Sequence, residues 1–164
     1  MIDLFTDSGA TFSPCGCYRT ALWRIWDPGS APLMFTLLNP STADDLADDP
    51  TVTRCRRRAQ AGGFGGLVIT NAFALRSTDP QALFGAPDPV GPGNDDAILE
   101  FAGRAGLVVC GWGEHCDRVR PGRSVVVLDL IRAAGKVPHA LAVNAGGAPK
   151  HPLYCSYELQ PMPL

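Results

Sequence analysis

Long apolar runs are absent from this chain of 164 residues. None comes near the ~20 residues needed to span a bilayer, so no membrane partner is expected. The opening segment Met1-Ile2-Asp3-Leu4-Phe5-Thr6-Asp7 has no basic stretch ahead of an apolar one, so it lacks the pattern of an export signal. A cytoplasmic protein is expected. Charge is sparse too, at 18% of residues with a net of −2; a chain that binds nucleic acid through its overall charge would be strongly basic. No P-loop, G-x-G-x-x-G or G-x-S-x-G occurs, so nucleoside-triphosphate, dinucleotide and serine-hydrolase readings lack support. Low-complexity tracts, internal repeats and collagen periodicity are missing as well.

What is present suits a packed core. Hydrophobic residues make up 46% of the chain, too many for a disordered segment, and a domain of this length hides roughly 70% of its unfolded surface. Residues 1–164 read as one domain. The six cysteines are Cys15, Cys17, Cys55, Cys110, Cys116 and Cys155, and without an export signal their expected state is the free thiol. Cys110, inside an apolar run, reads as core. Cys15-Gly16-Cys17 has the form of half a zinc or iron–sulfur motif, but no second pair follows at ligand spacing. Neither a metal nor a cofactor is expected.

Residues 17–26 alternate and are aromatic-rich, as a half-buried strand is. Asp27-Pro28-Gly29-Ser30 makes a turn. The apolar run 33–38 suits a buried strand, and the two segments predict a hairpin with 17–26 as an antiparallel edge. After Leu38 strand, loop and helix repeat. A helix starts at Pro50-Thr51 and runs to Gln60, and a strand covers 67–70. A Pro- and Gly-rich loop follows over 77–93, and Asn94 caps a helix to Arg104 with Asp95 and Asp96 in its first turn. A strand over 107–112, a helix over 121–134 stopped by Gly135, and a strand over 140–143 complete the pattern. This alternation predicts an α/β fold, a three-layer α/β/α arrangement around a central four-stranded, mainly parallel sheet with the N-terminal hairpin on its edge.

Ligands of such sheets bind beyond the carboxyl ends of the strands. The segments there are Asn39-Pro40-Ser41-Thr42, Asn71-Ala72-Phe73, Gly113-Glu114-His115 and the loop from Asn144 to Tyr154. Asn39 and Asn71 hold equivalent positions after neighbouring strands. Each either turns back on its own backbone or presents an amide to a ligand, and having two favours the ligand. His151 lies between Pro149-Lys150 and Pro152, whose restricted backbone suits a fixed hydrogen-bond donor; capping of a loop is the alternative. His115 and His139 read as structural or exposed. Trp112 either stacks on a ligand or fills the core. Asp44, Asp45, Asp48 and Asp49 form either a divalent-cation site or, as is more usual, a cap on the following helix. Arg54 to Arg58, the one basic run, either meets phosphate or forms a solvated helix face.

Several segments together resemble a bacterial and phage family known as domain of unknown function 1643: Arg24-Ile25-Trp26-Asp27-Pro28, Leu38-Asn39-Pro40-Ser41-Thr42, Asp49-Pro50-Thr51, Asn71-Ala72-Phe73-Ala74-Leu75-Arg76, Asp88-Pro89-Val90-Gly91 and His151-Pro152-Leu153-Tyr154. That family has no assigned activity. More distantly, the same elements in the same order resemble the uracil-DNA glycosylase superfamily. Leu38-Asn39-Pro40-Ser41 is similar to its first catalytic motif, Thr70-Asn71-Ala72-Phe73 to the strand end that reads the base, and Lys150-His151-Pro152-Leu153 to its His-Pro-Ser loop. The resemblance implies that Asn39 positions a water and His151 stabilises the departing base. Asn71, with Ser41, Thr42 and Phe73, would bind substrate together with Trp112, Lys150 and Tyr154. Arg54 and Arg76 would meet phosphate or nucleic acid. The expected activity is hydrolysis of an N-glycosidic bond in DNA or in a nucleotide, chemistry that an amide and a neutral imidazole can support by positioning and hydrogen bonding. The chain departs from the superfamily in lacking an aromatic between Phe35 and Phe64, where a base-stacking ring is usual, and in having Leu153 where the third motif has Ser. Those departures motivate the alternative, a non-catalytic nucleobase- or nucleic-acid-binding module. A third reading is a metal-assisted enzyme using Asp44 to Asp49. Oligomeric state is left open.

Overall fold

A computed structural model describes residues 8–41 and 46–164. Thr42, Asp44 and Asp45, named above, lie outside the described residues. The strands are β1 (Ser8–Phe12), β2 (Arg19–Ile25), β3 (Leu33–Leu37), β4 (Gly66–Asn71), β5 (Leu107–Cys110), β6 (Pro138–Ala140) and β7 (Met162–Pro163). The helices are α1 (Pro50–Ala61), α2 (Asn94–Arg104), the single turn α3 (Cys116–Val119) and α4 (Arg123–Ala133), with 3-10 turns at Pro80–Leu83 and Pro152–Tyr154.

The seven strands form one mixed sheet in the order β1-β2-β4-β3-β5-β6-β7. β3 pairs in parallel with β4 and β5, and β5 with β6. β1–β2, β2–β4 and β6–β7 pair antiparallel. The sheet is therefore larger than the four strands plus hairpin expected from the sequence, and the hairpin is differently built. β2 does not pair with β3. It lies between β1 and β4, while β3 takes the centre. All seven β2 residues and all five β3 residues are buried, and a strand buried throughout is poorly suited to an edge with unpaired N–H and C=O groups. The added strand β1 supplies that edge.

Period-two alternation distributes the core. Leu33, Phe35, Leu37, Leu67, Ile69 and Val109 join Val52, Cys55 and Ala59 of α1. The intervening Met34, Val68, Val108 and Cys110 join Ile98 and Phe101 of α2 and Val127 and Ile131 of α4. So α1 covers one face, and α2 with α4 the other. Asp49 caps α1 by accepting the Val52 N–H at 2.8 Å, with Pro50 opening the helix. α2 differs from expectation: Gly93, at φ 73°, is its cap, which frees Asn94 for another role. The helix expected over 121–134 is α4, Arg123–Ala133, capped by Gly122 at φ 82°, and the single turn α3 precedes it. β6 ends at Ala140 because the chain then folds back on itself, Lys150 N–H donating to Ala142 O at 2.9 Å.

Phe101 is fully buried and stacks on Trp23 with ring centroids 6.0 Å apart, whereas Phe84 is 44% exposed. Urea unfolding is expected to show a loss of about 3–5 kcal/mol for Phe101→Ala and less than about 1 kcal/mol for Phe84→Ala.

Candidate functional site

The register of the central strands sets the site. Leu37 lies opposite Asn71, and Thr36 opposite Thr70, their buried hydroxyls 3.0 Å apart. Pairing continues past the strand ends, with Ala72 N–H donating to Leu37 O at 2.8 Å and Phe73 N–H to Leu38 O at 2.9 Å. Leu37, Asn39, Ile69 and Asn71 therefore share the α1 face. There they line a cavity of about 220 Å³ together with Ser41, Asp49 and His151. A second cavity of about 540 Å³ shares Asn39, Thr51 and His151 with the first and adds Trp112, Lys150 and Tyr154. The two are inner and outer compartments of one cleft.

Each polar group has a defined orientation. Asn39 Nδ2 donates to three backbone carbonyls, Ser77 O at 2.9 Å, Pro40 O at 3.2 Å and Leu75 O at 3.4 Å. That fixes its amide, since only the NH₂ end can face carbonyls, and leaves Oδ1 as an acceptor on a residue that lines both cavities. Asn71 is 2% exposed, and its buried Nδ2 has no hydrogen-bond partner. Its backbone is held firmly: Asn94 Nδ2 donates to Asn71 O at 2.9 Å and Ala72 O at 3.3 Å, and Arg123 Nε donates to Ala72 O at 2.9 Å. Arg123 is itself paired with Asp95 at 2.6 Å.

His151 Nδ1 accepts the Leu153 N–H at 3.2 Å, capping the 3-10 turn that follows. In the neutral ring the proton then resides on Nε2, which makes that nitrogen a donor. Burial holds the His151 ring below the ordinary imidazole value, and Asp49 partly opposes this. Arg54 anchors the same turn to α1, donating from Nε to Pro152 O at 3.0 Å and from Nη2 to Cys155 O at 2.5 Å.

Of the residues singled out in the sequence, the inner compartment unites Asn39, Ser41, Asn71 and His151, and the outer one Trp112, Lys150 and Tyr154. Three others lie elsewhere. Phe73 is fully buried in the core. Arg54 is committed to backbone carbonyls and lies over the Tyr157 ring at 4.2 Å. Arg76 donates to Gly16 O at 2.9 Å and lies over the Phe12 ring at 4.8 Å. The acidic segment is likewise committed where it is described: Asp48 pairs with Arg24 and Arg56, and Asp49 caps α1 and accepts the Ser41 hydroxyl at 3.0 Å. Sequence reasoning missed Arg19 and Thr51 as wall residues, and His115, read as structural or exposed, lines the outer compartment. Arginines inside a largely apolar strand were the available signal for Arg19, which is 4% exposed.

Fold and site together define an α/β protein with a polar cleft at the carboxyl ends of parallel strands. Residues 19–153 match the family described as protein of unknown function (DUF1643), and the chain belongs to that family. No curated protein and no solved structure matches it. Among the described residues no helix is long and apolar enough to cross a membrane.

Two measurements check this geometry. Because the folded His151 value lies below the unfolded one, the unfolded chain binds the proton more readily, so stability is complete above about pH 6.5 and falls as pH drops through that value. Urea midpoints at about pH 7.5 and about pH 5.5 are expected to differ less in His151→Gln than in the parent protein. Asn94→Ala, which takes the side-chain donor from the Asn71 carbonyl and leaves the Ala72 carbonyl to Arg123 alone, is expected to cost about 1–3 kcal/mol in the same unfolding assay.

Proposed function

We propose that the cleft receives one nucleobase, in DNA or in a nucleotide, and that the protein hydrolyses its N-glycosidic bond. The unpartnered, buried amide of Asn71, a residue on the wall of a cavity also lined by Asn39 and His151, carries this reading. A buried donor without an acceptor is costly, and a carbonyl on the edge of a heterocycle would relieve it. At about 220 Å³ the inner compartment is smaller than sites for drug-sized ligands. That favours a single planar ring there, with sugar and phosphate in the outer compartment beside Lys150 and Tyr154. The motif order that resembles the uracil-DNA glycosylase superfamily supports the same reading, as do the parallel run β4-β3-β5-β6 and the helices on both sheet faces.

As the bond from the sugar C1′ to the base nitrogen breaks, positive charge grows on the sugar and negative charge on the base oxygen. His151 Nε2–H donates to that oxygen and stabilises the leaving group without giving up its proton. Asn39 Oδ1 accepts a hydrogen bond from the attacking water and holds its oxygen toward C1′; the water's proton passes to solvent as the C1′–O bond forms, and the released base anion takes one up from solvent. Asn71 Nδ2 binds the base edge in ground and transition states alike, so it contributes to affinity. A base drawn from a strand must unstack first, which costs a few kcal/mol.

One observation favours the second reading, a nucleobase-binding module without turnover. The apolar wall of the inner compartment is Leu37, Val52 and Ile69, not an aromatic ring, so stacking contributes less to holding an extruded base.

The test is release of free base from nucleosides and from oligonucleotides bearing uracil, hypoxanthine or mismatches, followed by chromatography. Turnover is expected to fall about 10²–10³-fold in His151→Ala and by a similar factor in Asn39→Ala, whereas Asn71→Ala should mainly weaken binding. Salt-sensitive binding without base release supports the module. Neither binding nor release of any of these substrates overturns both readings.

A further inference from the structure

The six cysteines divide into two groups. Cys55, Cys110, Cys116 and Cys155 are buried, whereas Cys15 and Cys17 are exposed. Burial pushes the buried thiols up, Cys110 and Cys116 to about 12, which leaves them protonated and weakly nucleophilic. The exposed pair lies in the turn between β1 and β2, outside the cleft.

That turn is organised around one sulfur. Cys17 N–H donates to Cys15 Sγ at 3.4 Å, and the Ser13 hydroxyl lies 3.2 Å from the same atom, placed to donate to it. Cys17 Sγ donates to Cys15 O at 3.8 Å, so both sulfurs sit against a single turn. Gly16 between them adopts φ 73°, a conformation that disfavours other residues. The turn is held in place by Gly16 N–H to Ser13 O at 2.9 Å, by Tyr18 N–H to Ser13 Oγ at 3.2 Å and by Arg76, which donates from its side chain to Gly16 O and from its backbone to Cys17 O, both at 2.9 Å. Arg76 also brings a cation to the turn. The consequence is asymmetric: the Ser13 hydroxyl first, then the Cys17 groups, draw the Cys15 thiol down to about 7, while its bond to Cys15 raises Cys17. An exposed sulfur with an ionised fraction at neutral pH, next to a second thiol that stays protonated, is the arrangement that thiol–disulfide exchange requires.

We propose that Cys15-Gly16-Cys17 is a dithiol exchange site for small-molecule disulfides, with Cys15 as the attacking thiolate and Cys17 as the resolving thiol. In the first step Cys15 Sγ attacks one sulfur of R–S–S–R. The S–S bond breaks, RS⁻ leaves with the electron pair, and a Cys15–S–S–R bond forms. In the second, Cys17 gives its proton to solvent and its sulfur attacks Cys15 Sγ. The mixed disulfide breaks, a second RS⁻ departs, and a Cys15–Cys17 disulfide closes. The protein loses two electrons and two protons overall, and the small disulfide becomes two thiols once its thiolates take up protons.

Full-length protein incubated with excess oxidised glutathione, quenched in acid, alkylated and mapped by mass spectrometry tests this. The expected product links Cys15 to Cys17, and the four buried thiols remain free to react only after unfolding. Cys17→Ser is expected to stop at a glutathione adduct on Cys15. Cys15→Ser should react at Cys17 at least about tenfold more slowly, because Cys17 lacks the Ser13 hydroxyl and backbone N–H bonds that draw the Cys15 thiol down. Ser13→Ala should slow the first step without changing the final product. The proposal is overturned by adducts spread over the buried cysteines, by Cys17 reacting first, or by a Cys17→Ser protein that accumulates no adduct.

Discussion

A buried amide N–H with no acceptor costs a folded protein about 1–3 kcal/mol, and Asn71 carries one while 98% of the residue is covered. Nothing local requires that cost. The Asn71 backbone carbonyl is already satisfied by Asn94, and the following Ala72 carbonyl by Asn94 and Arg123, so the side chain makes no structural bond in return. The register of β4 against β3, which fixes Leu37 opposite Asn71, puts the residue on the wall of the cleft. A slip of one residue would turn the amide toward the α2 face and place Ala72 or Thr70 at the cavity. The rest of the site depends on that register, because the same pairing carries the chain to Asn39.

Strand ends in a parallel sheet leave carbonyls without ladder partners, and buried carbonyls need donors. Here side chains provide many of them. Asn39 closes the loop 75–77, Asn94 and Arg123 hold the end of β4, and Arg54 holds the turn that carries His151. Arg58 extends the pattern to Cys155, Ser156 and Leu159. In a chain with few charges, the one basic run is thereby an internal tie between α1 and the C-terminal segment. Preorganisation follows from this: the His151 ring is oriented by its bond from Leu153 N–H, and the turn behind it is anchored twice by a guanidinium.

The order of elements was legible because apolar runs of four to six residues, separated by Gly and Pro, leave little choice but alternating strands and helices. The strand-end position of Asn39 and Asn71 was legible for the same reason, whereas His151 caps a 3-10 turn that the chain reaches only after folding back beyond β6. What the sequence could not carry was pairing. β2 reads as a half-buried edge from its alternation, yet Arg19, Thr20 and Arg24 are all buried, with Arg24 paired to Asp48, and a paired arginine inside a strand looks like an exposed one in the sequence. Asn94 misled in the same way. Its place at a helix start suggested a cap, but the left-handed Gly93 ends the loop and the amide reaches across to β4 instead. Arg54 and Arg76 were read as phosphate contacts because charge on a helix face or loop says nothing about which carbonyls lie within reach.

The electrostatics of the inner compartment bear on what it can hold. Arg19 and Asp49 both line it, so the formal charges on its wall cancel, and the imidazole, held below its ordinary value by burial, is neutral at physiological pH. A phosphate placed there would meet Arg19 but also Asp49, and the attraction and repulsion would be of similar size at equal distances. A neutral ring with carbonyl and N–H groups on its edge meets no such conflict: Asn71 Nδ2 and His151 Nε2 offer hydrogens, and Asn39 Oδ1 accepts one. The outer compartment also carries one formal charge of each sign, Lys150 and Glu114, so the proposed reading places phosphate there by its larger volume, about 540 Å³, and by the reach of Lys150, not by net charge. The proposed nucleotide would then divide between a small inner chamber of about 220 Å³ that takes its uncharged base and a larger outer one that takes its sugar and phosphate, on opposite sides of one glycosidic bond.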